Sequence, residues 1–162
     1  MLTRDVVCEM QVEEGTFQIE YLGVKYSFCS RQCQERFQQN PRLYVGMPGH
    51  KSAKQAGVEV IKQRRLHLAQ ALTGNQSEKL RDALLGMMGV QSVSFEGKEV
   101  TIVYDLLQAS VEQLEQKLAE IGIALGKGWM ERLRRAFVHY EEDCEIDNLE
   151  INQHKCCNDR QV

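Results

Sequence analysis

The residues with the most evident chemistry are the six cysteines. They fall into two groups, Cys8, Cys29 and Cys33 near the start and Cys144, Cys156 and Cys157 near the end, with none in the 110 residues between. In an intracellular chain, clustering of this kind points to metal binding or redox work rather than to disulfides. Cys29 and Cys33 straddle the start of a short helix, which places Cys33 where backbone N–H groups and the helix dipole favour a thiolate. Thiolate is the form that binds soft metals. Three sulfurs leave a tetrahedral site one ligand short. Met10, two residues from Cys8 on an extended segment, offers a thioether, which favours Cu(I) over Zn(II). At the other end, Cys144, His154, Cys156 and Cys157 present three thiols and an imidazole, and His139 is a further candidate. Vicinal cysteines close a strained ring, so Cys156 and Cys157 stay available to capture a thiophilic ion. Incidental cysteines and a thiol redox pair are the competing readings of this segment.

Those residues need a scaffold, and the sequence indicates one. Phe17–Tyr21 alternates apolar and polar residues, and Tyr26–Phe28 resumes the alternation beyond Gly23, which predicts a β-hairpin turning near Leu22–Val24. The hairpin carries Cys8 back toward the Cys29/Cys33 pair. Ser30 caps a helix through Gln39, its hydroxyl reaching the Cys33 N–H, and Pro41 ends it. Residues 47–57 hold turn formers and lysines without periodicity and are expected to be a linker. Residues 58–126 follow the order strand, helix, strand, strand, helix, strand. A helix is expected over Ser77–Met88 with Gly89 as its stop, and a second is capped by Ser110. A tight turn is expected at Glu96–Lys98 and a last short strand at Ile123–Leu125. That order predicts a ferredoxin-like βαββαβ sandwich. In residues 127–162, Trp129, Leu133, Phe137 and Tyr140 share one helical face; Trp129 is expected to pack its helix on the sheet, with partner binding as the alternative. A mobile acidic tail is expected beyond Tyr140. The fold class is α+β: a zinc-ribbon-like hairpin-helix module (1–46), the sandwich, and a C-terminal helix with a Cys/His tail.

Composition narrows the functions further. The chain has 162 residues, 43% hydrophobic and 27% charged, with net charge −3. Its longest apolar or glycine run, Ala83–Val90, is far short of the roughly 20 residues a bilayer span needs, so no membrane insertion is expected. An acid and a thiol stand where a signal peptide needs its apolar stretch, so a cytoplasmic location is expected. Six basic residues against one acidic lie within 41–68, but they are spread over the expected linker, so nucleic-acid binding is not expected. There is no phosphate loop, His-Glu-x-x-His motif or nucleophile elbow, and no enzymatic activity is expected. His67 alternates within a strand and is read as a surface or satisfied histidine, His50 lies in the expected linker without partner spacing, and Met87–Met88 is read as core.

Asp5-Val-Val-Cys8-Glu-Met10, with Glu20–Tyr44 including Cys29-Ser30-Arg-Gln-Cys33, resembles the YHS (TRASH-type) domain. The family pattern opens Asp-Pro-Val-Cys-Gly-Met, so Val6 and Glu9 depart from it. The resemblance implies Cu(I), Zn(II) or a related ion at Cys8, Cys29 and Cys33, held either as exchangeable cargo or as a structural staple. The middle segment resembles the heavy-metal-associated domain through Gly89–Ser94 and Leu118–Ile123. It lacks that family's Met-x-Cys-x-x-Cys loop, since Ala71–Ser77 contains no sulfur, and so is expected to serve as a docking or dimerisation module or a spacer. These resemblances imply a copper- or zinc-handling protein of metal trafficking, storage or resistance, working by thiolate exchange with a metal-transporting P-type ATPase as partner. A zinc-stapled interaction adaptor and a thiol redox protein are the alternatives, and homodimer formation is left open.

Overall fold

The structure, a computed structural model, describes residues 1–15 and 17–155, the side chains of 152–155 excepted. These residues form two compact units: the described residues of Met1–Glu59 with those from Asp143 onward, and Val60–Glu142.

In the first unit, β1 (Leu2–Arg4) pairs antiparallel with β2 (Gln11–Glu13), and β3 (Phe17–Tyr21) with β4 (Val24–Phe28). Tyr21 pairs with Val24, so only Leu22 and Gly23 make the turn. Both have positive φ, 53° and 77°, the conformation whose twist matches that of a hairpin. Helix α1 (Arg31–Gln39) starts where the sequence indicates, with the Ser30 hydroxyl accepting the Cys33 N–H at 3.4 Å. Phe37, 1% exposed, fastens α1 to the hairpin. Its ring lies 5.1–6.1 Å from those of Tyr21, Tyr26, Phe28 and Tyr44, contacts worth about 0.5–1.5 kcal/mol each beyond the area they bury. Pro41 opens a 3-10 turn, Pro41–Leu43. Residues 47–57 are tied down rather than free. Ser52 and Ala53 are buried, the Lys54 N–H bonds the Leu43 carbonyl, and the Gln55 side-chain oxygen accepts from Gly46 and Ser52.

The second unit is built on a three-stranded antiparallel sheet ordered β5-β7-β6, with β5 at Ile61–His67, β6 at Val90–Glu96 and β7 at Glu99–Asp105. Leu66, Val100, Ile102 and Tyr104 are buried, as are Leu80 and Leu84 of α2 (Gly74–Leu85) and Leu114 and Leu118 of α3 (Val111–Glu120). The sheet is ferredoxin-like, but the expected fourth strand shrinks to one bridge, Leu68 to Leu125, on the free side of β5. Helix α2 begins three residues earlier than the periodicity predicts, because Thr73 and Gln76 form a reciprocal capping box that satisfies two orphan donors. It ends at Leu85 instead of Met88, so Met87 and Met88 lie in the half-buried turn before β6. Gly89 has φ +83°, and a Cβ there would lie 2.5 Å from the Gln108 side chain; no other residue fits.

Helix α4 (Trp129–Lys155) corrects two expectations. The face carrying Trp129, Leu133, Phe137 and Tyr140 does not pack on the sheet; these side chains are 73, 62, 66 and 65% exposed. A polar face turns inward instead. Glu142, 3% exposed, accepts from the Tyr104 hydroxyl and from the Val111 N–H, the latter at 2.9 Å. Arg64 reaches Glu141 at 3.4 Å and Glu142 at 3.7 Å. His67 meets Glu99 at 3.2 Å and Arg134 at 2.9 Å, in line with the ordinary role read for it. A buried hydroxyl without a partner costs about 1–3 kcal/mol, a cost that the bond from Tyr104 to Glu142 avoids. The helix also continues past Tyr140, where a tail was expected. Neither Gly nor Pro interrupts 129–155, and Ile146 is 4% exposed. Among the described residues, no helix is long and apolar enough to cross a membrane.

Candidate metal centre

The loop between β1 and β2 is shaped by Asp5. Its carboxylate is fully buried. One oxygen accepts the N–H groups of Val7 (2.8 Å) and Cys8 (3.4 Å), and the other accepts the Cys29 N–H (2.8 Å). One side chain therefore folds the Cys8 loop and ties it to the end of β4. The Asp5 N–H bonds the Met10 carbonyl at 2.9 Å and closes the loop. Glu9, at the position of the family's glycine, has φ 68°, in the left-handed region that glycine tolerates best. Arg4 holds it there through a 3.0 Å ion pair.

This scaffold brings the three N-terminal thiols together. The Cys8 and Cys29 sulfurs are 3.4 Å apart, and those of Cys29 and Cys33 are 3.6 Å apart. Ligand atoms of Asp5, Cys8, Cys29 and Cys33 all lie within 4.8 Å of one another. Three sulfurs at this separation can converge on one cation. The Asp5 oxygens are committed to three backbone donors, so its role is to position the thiols. Sequence reading missed that role; the signal was an Asp three residues before a cysteine, the spacing of a side-chain-closed turn.

The three thiols are electrostatically unequal. Cys8 is lowered from its ordinary 9.0 to about 7, chiefly by the hydrogen bond from the Cys33 thiol. Cys29 is raised to about 11, mainly by burial. Cys33 is pushed strongly upward by its bond to Cys8, by burial and by the Asp5 charge. The expectation that the helix N-terminus ionises Cys33 is thus reversed. Cys33 is wholly buried beside an existing negative charge, and both effects exceed the dipole's contribution. Cys8 carries the charge and Cys33 donates to it. Such a cluster is compatible with a thiophilic metal ion.

The other candidate ligands lie elsewhere. Met10 is on the Cys8 loop with its side chain 49% exposed. Cys144 is half-buried on α4 and is not a member of the cluster. His139 bonds Glu115 at 3.2 Å. His154 falls in the last turn of α4 with its side chain outside the described residues, as are Cys156 and Cys157.

Two hairpins and a capped helix gathering three thiols define the class, a small cysteine-cluster module. Residues 3–47 match the family model of the YHS domain, in agreement with the resemblance of the sequence. No curated protein and no solved structure matches the chain.

Proposed function

We propose that this protein binds copper or a similar thiophilic ion as cargo and serves metal trafficking, storage or resistance by ligand exchange. The convergence of Cys8, Cys29 and Cys33 on one point, within a segment that matches the YHS domain, carries the reading. The thiols still protonated yield their protons as their sulfurs bond the ion, and the partly exposed Cys8 and Cys29 are the sulfurs that a partner's thiolates can reach. Met10 is the candidate fourth ligand. Cys144, His154, Cys156 and Cys157 are candidates for a second, accepting site. We read Val60–Glu142 as a heavy-metal-associated-like module that has lost its own metal loop. The ferredoxin-like strand order supports this reading, as does the self-capped, sulfur-free entry to α2. Such a module docks partners rather than ions, and a metal-exporting ATPase fits that role. The protein is not an enzyme in this reading.

The test is titration of the reduced protein with Cu(I) against a competing chelator, alongside Cys8→Ser, Cys33→Ser and the Cys156→Ser/Cys157→Ser double variant. We expect tight uptake that Cys8→Ser and Cys33→Ser abolish at the first site, and reduced stoichiometry in the double variant. A single zinc, inert to copper and unaffected by the double variant, would instead establish the second reading, a zinc-stapled interaction module. Full burial of Cys33 favours that alternative, because a ligand sealed in the core suits a permanent ion.

A further inference from the structure

Helix α4 presents a largely exposed apolar surface. Trp129, Met130, Leu133, Phe137 and Tyr140 are 61–73% exposed. Trp129, Leu133, Phe137 and Tyr140 advance by four, four and three residues, so they form one stripe along the helix axis. Scattered exposed hydrophobic residues need no explanation, but an unbroken stripe holding three aromatic rings marks an interaction site. Exposed side chains of these sizes, with each aromatic ring contributing roughly 150–250 Å², sum to an area approaching the ~800 Å² that each partner buries in a standard interface.

The charge pattern selects the occupant. Arg132 lies on one flank of the stripe and Asp143 lies on the same flank, eleven residues and about three turns on. Both are exposed. The helix as a whole is basic at its start (Arg132, Arg134, Arg135) and acidic beyond it (Glu141, Asp143, Glu145, Asp147). A second α4 laid antiparallel, centred near Ala136, sets Trp129 toward the partner's Tyr140 and Leu133 toward its Phe137. In that register Arg132 and the partner's Asp143 stand about three residues, roughly 4–5 Å, apart along the axis, a gap that the long arginine side chain spans, twice by symmetry. A parallel pair would stack arginine on arginine and acid on acid. We propose that α4 is a self-association helix, and that its exposed stripe is covered in solution by the same stripe of a second copy in antiparallel orientation.

The test is the molar mass of the full reduced chain by light scattering and sedimentation equilibrium over a range of protein concentrations. We expect twice the chain mass at tens of micromolar. Phe137→Glu should give the single-chain mass with unchanged circular dichroism, because the side chain it replaces is already in solvent. Arg132→Glu alone should raise the dissociation midpoint about tenfold, since like charges across an interface repel. Adding Asp143→Arg in the same chain should restore it. A wild-type chain that remains single at 100 μM overturns the proposal, whether or not it binds a heterologous protein or lipid vesicles. A dimer indifferent to Phe137→Glu also overturns it, and failure of the double charge reversal to rescue refutes the antiparallel arrangement.

Discussion

The unequal thiols make proton release on metal binding a direct reading of the cluster. Cys8 titrates near 7, whereas Cys29 is raised to about 11 and Cys33 further still. At pH 8 Cys8 is already about nine-tenths ionised, so a cation held by three thiolates should expel about 2.1 protons, against about 2.9 at pH 6 where Cys8 is protonated. Three ordinary thiols with values near 9 would release about 2.7 and about 3.0 over the same interval. The predicted change is therefore about 0.8 proton rather than about 0.3. Titration of the reduced protein with Cd(II) or Cu(I) in weak buffer, followed by a pH indicator, measures it. Calorimetry in buffers of different ionisation enthalpy gives an independent value. In Cys8→Ser, which abolishes uptake at this site, the release should vanish at both pH values. A wild-type release that changes by less than half a proton between pH 6 and 8 would refute the assignment of the charge to Cys8. The sign of the stability effect follows. A lowered Cys8 value favours the folded state above the ordinary thiol value, and that contribution fades as pH falls through 7.

Three further outcomes test the framework. Asp5→Ala strands the N–H groups of Val7, Cys8 and Cys29 and should cost about 2–4 kcal/mol in chemical denaturation. Asp5→Asn should recover part of that loss, because its carbonyl oxygen still accepts. Glu142→Ala removes the partner of the Tyr104 hydroxyl, the Val111 N–H and Arg64. It should cost about 3–5 kcal/mol, and a loss below 1 kcal/mol would show the network to be unimportant. Glu9→Gly relieves the positive φ and should stabilise the metal-free protein by about 1 kcal/mol, measurable by thermal melting; a lower melting temperature would mean that the Arg4 pair outweighs the strain.

Local signals proved the most legible part of this sequence. Strand alternation, the Leu22–Gly23 turn, the Ser30 and Ser110 caps and the Pro41 stop depend on neighbours within a few residues, and each appears in the structure. The grouping of Cys8 with Cys29 and Cys33 was readable because the hairpin fixes where a chain reversal brings them. What escaped depends on distant partners. Glu142 looks like a surface acid until Tyr104, 38 residues earlier, is placed against it. With that pairing a polar face of α4 turns inward, and periodicity marked an apolar stripe without revealing that it lies outside. The ionisation order of the thiols escaped for the same reason, since it rests on the burial of Cys33 and the nearby Asp5 carboxylate.

The shrinkage of the fourth strand to a single bridge leaves most of β5 without a neighbouring strand on one side. Through Arg64 and His67, α4 runs alongside that margin. Unpaired main-chain amides and carbonyls in a row are a template for any passing extended segment. The helix therefore acts as a guard rail as well as a presenting surface: a chain shortened before Trp129 would lose the Glu142 partner of Tyr104, expose a sticky border and drift toward fibrous assembly.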